Sequence, residues 1–142
     1  MKFRGFAQFH FQFRGDLCLM KDSLAVGITN EKTVTTTPAM GVSHLGDGPG
    51  VLSTPSMIGL MEHTSLESVA PHLDDNESTV GTMVHIWHRS AVKIGEDVTI
   101  ACKLIEQDRR KLLFEVKVSY GEQVVGEGTH ERFVIDLSKF KK

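Results

Sequence analysis

One carboxylate keeps unusual company. On a helical projection at 100° per residue, Glu62 falls between Ile58, Val69 and Leu73. A carboxylate within an apolar stripe is costly unless it is paired or used, and one held in that way can serve as a base or a nucleophile. A solvated helix rim, or a neighbour such as His63 that satisfies it, would account for Glu62 without chemistry. His88 lies in a strand-like run and shares a period-two face with Thr82, Val84, Ile86 and Ser90. An imidazole there can move a proton near neutral pH or sit as a satisfied core group. Thr54 precedes Pro55 at the start of a helical pattern. Its hydroxyl can cap the free N–H groups of the helix or take part in a site.

Other chemistries fit the residues poorly. His63, His85, His88 and His130 are the interior histidines a metal site would draw on. His85 and His88 point to opposite faces of one strand, and His130-Glu131 lacks a histidine four positions on. No metal is expected. A Gly-x-Ser-x-Gly nucleophile elbow is absent. The glycine-rich stretch from Gly41 to Gly50 lacks the Gly-Lys-Ser/Thr that turns such a loop into a phosphate cradle. Cys18 and Cys102 form no C-x-x-C pair and read as two reduced thiols of a cytoplasmic protein. A formal net charge of −2 with scattered basic residues argues against nucleic acid. No apolar run approaches the roughly 20 residues needed to cross a bilayer.

The elements that must position these groups can be read in outline. Ser53-Thr54-Pro55 opens a helix that runs to about Leu73 and is apolar round most of its circumference, which predicts a buried helix. Leu24 to Ile28 and Lys32 to Thr37 have strand character before it. Four strand-like runs follow: Thr79 to Ala91, Asp97 to Gln107, Lys111 to Tyr120 and Gln123 to Asp136. Their links are short and turn-like, which predicts an antiparallel meander. One long helix wrapped by an antiparallel sheet, with no second helix, is the α+β arrangement called the hot-dog fold. Its 142 residues suit one domain with a core of its own.

The first 19 residues differ from the rest. Phe9, Phe11 and Phe13 alternate with polar residues, a strand period. They read either as an extra strand on a sheet edge or as a translated leader ahead of a start at Met20. The abrupt end of the aromatic bias favours the leader, with residues 20–142 as the domain.

Three segments together resemble the fluoroacetyl-CoA thioesterase family. They are Gly59-Leu60-Met61-Glu62 with Thr54 eight residues before Glu62, Gly81-Thr82 with His88 six residues after Thr82, and Gly128-Thr129-His130-Glu131-Arg132. The similarity runs from about Met20 to Phe140. It implies a homodimeric hot-dog enzyme that hydrolyses a short acyl-CoA thioester, with no cofactor beyond the CoA of the substrate. By the same resemblance Thr54, Glu62 and His88 would be catalytic, and Gly81 and Arg132 would contact substrate. The fluoroacetyl-specific enzyme carries phenylalanines in the loop before the helix. Here that loop reads His44-Leu45-Gly46-Asp47-Gly48-Pro49-Gly50. The departure points to a general short- or medium-chain acyl group. Two other roles for the same fold stay open at this point: a non-catalytic acyl-CoA-binding protein, and a 3-hydroxyacyl thioester dehydratase.

Overall fold

The computed structural model describes residues 20–42 and 44–140. The reading of Phe9, Phe11 and Phe13 as a strand or leader therefore lies outside the described residues. The elements are β1 (Thr29–Thr35), α1 (Thr54–Val69), β2 (Glu77–His88), β3 (Asp97–Asp108), β4 (Lys111–Tyr120) and β5 (Gln123–Asp136). They form one antiparallel five-stranded sheet in the order β1-β3-β4-β5-β2, with α1 packed on one face. Among the described residues no helix is long and apolar enough to cross a membrane.

The period-two runs explain the sheet. Val98, Ile100, Cys102 and Leu104 on β3, and Leu112, Phe114, Val116 and Val118 on β4, are all buried against the helix side. From α1, Met57, Met61 and Val69 close the same core. Each such side chain contributes about 1.5–3 kcal/mol on leaving water, so this layer is what holds the helix in the sheet's curve.

Three expectations need correction. Leu24 to Ile28 is a turn, not a strand: Leu24 is buried as an anchor, and Gly27, at φ 102°, donates its N–H to the Leu104 carbonyl at 2.8 Å. The helix is not buried all round. Gly59, His63 and Glu67, spaced at i, i+4 and i+8, form an exposed stripe, and Thr64, Ser65 and Ser68 fill part of the buried face. Those buried hydroxyls fit because each returns its hydrogen bond to a carbonyl of the same helix, Leu60, Met61 and Ser65 respectively.

The third correction concerns topology. β3, β4 and β5 form a meander, but β2 does not pair with β3. Both edges of β3 are taken, by β1 and β4, so the chain after His88 crosses the end of the molecule instead. On the way Val92 and Ile94 pair with Leu52 and Gly50, ahead of the helix. β2 is thereby left on the far edge, beside β5. From Val80 to His85 every residue of β2 is exposed.

Candidate active site

The start of α1 sets the first pair. The N-cap is Ser53, whose Oγ accepts from the Ser56 N–H at 3.2 Å. Thr54 is the first helical residue and not the cap, contrary to the simplest reading of Ser53-Thr54-Pro55. Because the serine takes the capping duty, the threonine hydroxyl is free for another partner. It lies 2.8 Å from Nδ1 of His88, at the end of β2. The other ring nitrogen, Nε2, is shielded from solvent and meets no hydrogen-bond partner among the described residues. A half-buried imidazole with one nitrogen oriented and the other uncommitted is equipped to pass a proton.

A β-bulge sets the second group. The pairing of β2 with β5 slips between Gly81 and Met83, so Thr82 is the extra residue. In an unbroken strand Gly81 and His88, seven positions apart, would face opposite ways. The bulge shifts the alternation by one, and both face the helix. Thr82 turns to the outer face, where its hydroxyl donates to Glu131 Oε1 at 2.8 Å. It therefore does not share the face of His88, as unbroken alternation would have it.

Gly81 is needed where it stands. A Cβ there would lie 2.9 Å from Glu62 Oε1 and 3.1 Å from Cε1 of His130. The missing side chain is the space the carboxylate occupies. His63, which could have satisfied Glu62, pairs instead with Glu67 at 2.9 Å along the exposed stripe. Behind Glu62 lies Arg132, only 5% exposed. Its Nε and Nη2 donate to the side chain and carbonyl of Thr79 at 2.7 and 2.8 Å. Its Nη1 donates to His130 Nε2 at 3.1 Å and reaches the Glu62 carbonyl at 3.5 Å. Burial lowers the Arg132 pKa, and the Glu62 carboxylate pulls it back up.

His130 was legible in the sequence only as a metal candidate. In the structure it is fully buried, with Nδ1 2.9 Å from the Met83 carbonyl. Burial is the main cause that holds its pKa below 6.5; Arg132 pushes the same way, while the Met83 bond, Glu62 and Glu131 oppose. The folded protein thus binds a proton here less readily than the unfolded chain does. The stabilisation is complete above about pH 6.5 and is lost as the pH falls below it towards the folded value. Thermal midpoints should therefore fall between pH 7 and 5, and His130→Gln should flatten that slope. A slope unchanged by the substitution would assign the effect to other groups.

One chain does not gather all five residues at one point. Thr54 and Glu62 are eight residues apart on α1, about 12 Å along its axis. Gly81 and His88 are about 20 Å apart along β2 at ordinary strand rise. The structure joins Thr54 with His88, and Glu62 with Gly81 and Arg132, as two separate clusters on one face. A groove of about 910 Å³ lies elsewhere. It crosses the outer face of the sheet past Trp87, Lys103, Glu115, Lys117 and Glu127. There Glu115 lies opposite Lys103, and Glu127 opposite Lys117, so its charges neutralise one another across strands.

A single helix in the curve of an antiparallel sheet makes this a hot-dog-fold protein, with a carboxylate, an imidazole and a hydroxyl on the inner side. Residues 28–138 match the family model described as fluoroacetyl-CoA-specific thioesterase, and the chain belongs to that family. It is 34% identical over 128 residues to the fluoroacetyl-CoA thioesterase of Streptantibioticus cattleyicolor, an alignment spanning 85% of this chain and 92% of that one. A solved structure of a fluoroacetyl-CoA thioesterase superposes with a TM-score of 0.77 at 33% identity, covering 84% of this chain and 93% of the other. A hot-dog-like protein from Thermanaerovibrio acidaminovorans shares the fold, with a TM-score of 0.74 at 17% identity over 81% and 86% of the two chains.

Proposed function

We propose that the protein hydrolyses a short-chain acyl-CoA to the free acid and CoA, as a homodimer that builds each site from two protomers. The observation that carries the shared site is the separation of the two clusters. Glu62 with Gly81 and Thr54 with His88 lie on one face but too far apart to meet at one carbonyl carbon. A two-fold axis near Val84–His85, in the middle of β2, would pair that strand with its copy and bring Gly81 opposite the partner copy of His88. Glu62 of one protomer would then meet the Thr54–His88 pair of the other. That axis falls on the stretch of β2 left exposed from Val80 to His85, with Val80, Met83 and Val84 each more than a third exposed. Pairing the two edges would cover this apolar strand and satisfy its free backbone groups.

In this reading Glu62 takes a proton from water as the oxygen attacks the thioester carbon. The C–S bond breaks, and His88 Nε2 relays the proton that Glu62 took from water to the leaving CoA thiolate, so that both groups end as they began. The Thr54 hydroxyl holds His88 through Nδ1, and Gly81 leaves the Glu62 carboxylate room beside the backbone. Arg132 holds the wall behind Glu62. The donors it has left for substrate are few, so its effect comes through that carboxylate. No cofactor is needed, since the thiolate is already a good leaving group. The rival readings are weaker: a binding protein has no use for an unpartnered buried imidazole nitrogen, and a dehydratase has no use for family membership among thioesterases.

The loop from His44 to Gly50 holds Leu45, 62% exposed, and no phenylalanine. A fluorine-selective lid is therefore not part of the proposal. Release of free thiol from acetyl-, propionyl-, butyryl- and fluoroacetyl-CoA tests it. The expected outcome is turnover of the short acyl-CoAs, with fluoroacetyl-CoA not preferred beyond about tenfold, the scale of one small pocket contact. Thiol release no faster than the uncatalysed rate for every member would refute the proposal.

A further inference from the structure

Resting on the thioesterase reading above, we infer that His130 is a positioning residue for the reaction: its imidazole ties the Met83 carbonyl at the β2 bulge to the Arg132 guanidinium and so fixes the wall against which Glu62 lies. Hydrogen-bond chemistry leaves the ring one state. A carbonyl only accepts, so Nδ1 donates to Met83 at 2.9 Å. A guanidinium only donates, so Nε2 accepts from Arg132 Nη1 at 3.1 Å. The ring is thereby neutral, with its proton on Nδ1 and both nitrogens engaged. A second proton would have to sit on Nε2, facing Arg132.

The link joins three elements. Met83 belongs to the edge strand at the point where its pairing slips. Arg132 and His130 are neighbours on the inner face of β5. Glu62 belongs to α1, and its Oε1 and the His130 ring crowd the same point beside Gly81. From β4 the Phe114 ring lies over the imidazole, with 6.5 Å between centroids and 29° between planes. On the outer face Glu131 grips the other side of the same bulge through Thr82. The charged groups that face His130 are Arg132 on its own strand, Glu62 from the helix and Glu131 beyond. Without the imidazole, Met83 loses its tie to the guanidinium, Arg132 Nη1 loses its acceptor and only the Thr79 bonds hold Arg132 to β2, so the carboxylate loses part of its fixed backing.

Two substitutions each keep one end of the link. In His130→Asn the amide N–H can still donate to Met83, but Arg132 Nη1 loses its acceptor. In His130→Gln the amide oxygen can still accept from Arg132, but the bulge is released. Both should lower kcat roughly tenfold to a hundredfold, the scale of an ångström of misplacement, while KM changes by less than about threefold. Turnover is measured well below each variant's thermal midpoint, so that lost stability alone does not move it. Either variant with kcat within about twofold of wild type overturns the inference. Should neither fold, the long-range 1H–15N spectrum of the wild-type imidazoles decides. The inference requires a neutral ring protonated on Nδ1 at pH 7, above the ordinary histidine value near 6.5. An Nε2-protonated ring overturns it. Glu62→Gln is assayed in parallel. A fully active Glu62→Gln would mean that the catalytic reading itself has failed. An inactive Glu62→Gln beside fully active His130 variants would mean that only the role of His130 has failed.

Discussion

Glu62→Gln should lower turnover of a short acyl-CoA at saturating concentration by a hundredfold or more, the usual scale for a lost acid–base group. The amide keeps the shape of the side chain beside Gly81, so the space that a Cβ would fill remains occupied as before. It removes the negative charge, and with it the base that takes the proton from water. Acyl-CoA binding should persist, because no contact to the CoA moiety is changed. His88→Ala should be slow as well. The double variant should be little worse than the poorer single, because groups that act as a unit do not add. Turnover of Glu62→Gln within about threefold of wild type, far inside what a lost acid–base group should cost, would make Glu62 a structural carboxylate.

Much of this arrangement was readable in the residues, and what was not has physical causes. Glu62 is conspicuous because a charge in an apolar stripe breaks the helical pattern. The strands of β3 and β4 are plain because their alternation is unbroken over four core positions each. The position of β2 was not readable, because strand pairing is decided by which edges remain free, and local sequence does not record that. The bulge at Thr82 was hidden for a related reason: Thr79 to His88 alternates acceptably in either register, so only the pairing with β5 shows that Thr82 has turned outward. Ser53 and Thr54 are both good caps, and nothing local says that the first takes the helix and the second the histidine. The buried network of Thr79, His130 and Arg132 comes from two strands, with Thr79 and Arg132 separated by 53 residues in the chain. Its only trace in the chain is the i, i+2 spacing of His130 and Arg132, which places both on one face of a strand.

The largest departure from a one-chain site is its division into two clusters, and it yields the most selective expectation. If Glu62 of one protomer serves Thr54 and His88 of the other, two dead variants can complement each other. A mixed dimer of Glu62→Gln and His88→Ala carries one site with both lesions and one with neither. Were each site built within one protomer, both sites of the mixed dimer would carry a lesion and neither would work.

The decisive measurement is thiol release from a short acyl-CoA by mixed dimers, co-expressed with a different affinity tag on each variant and purified through both. The parent homodimers should be slower than wild type by a hundredfold or more. The mixed dimer should recover about half of the wild-type turnover, one working site of two in a two-fold assembly. A mixed dimer as inactive as its parents would contradict the shared site.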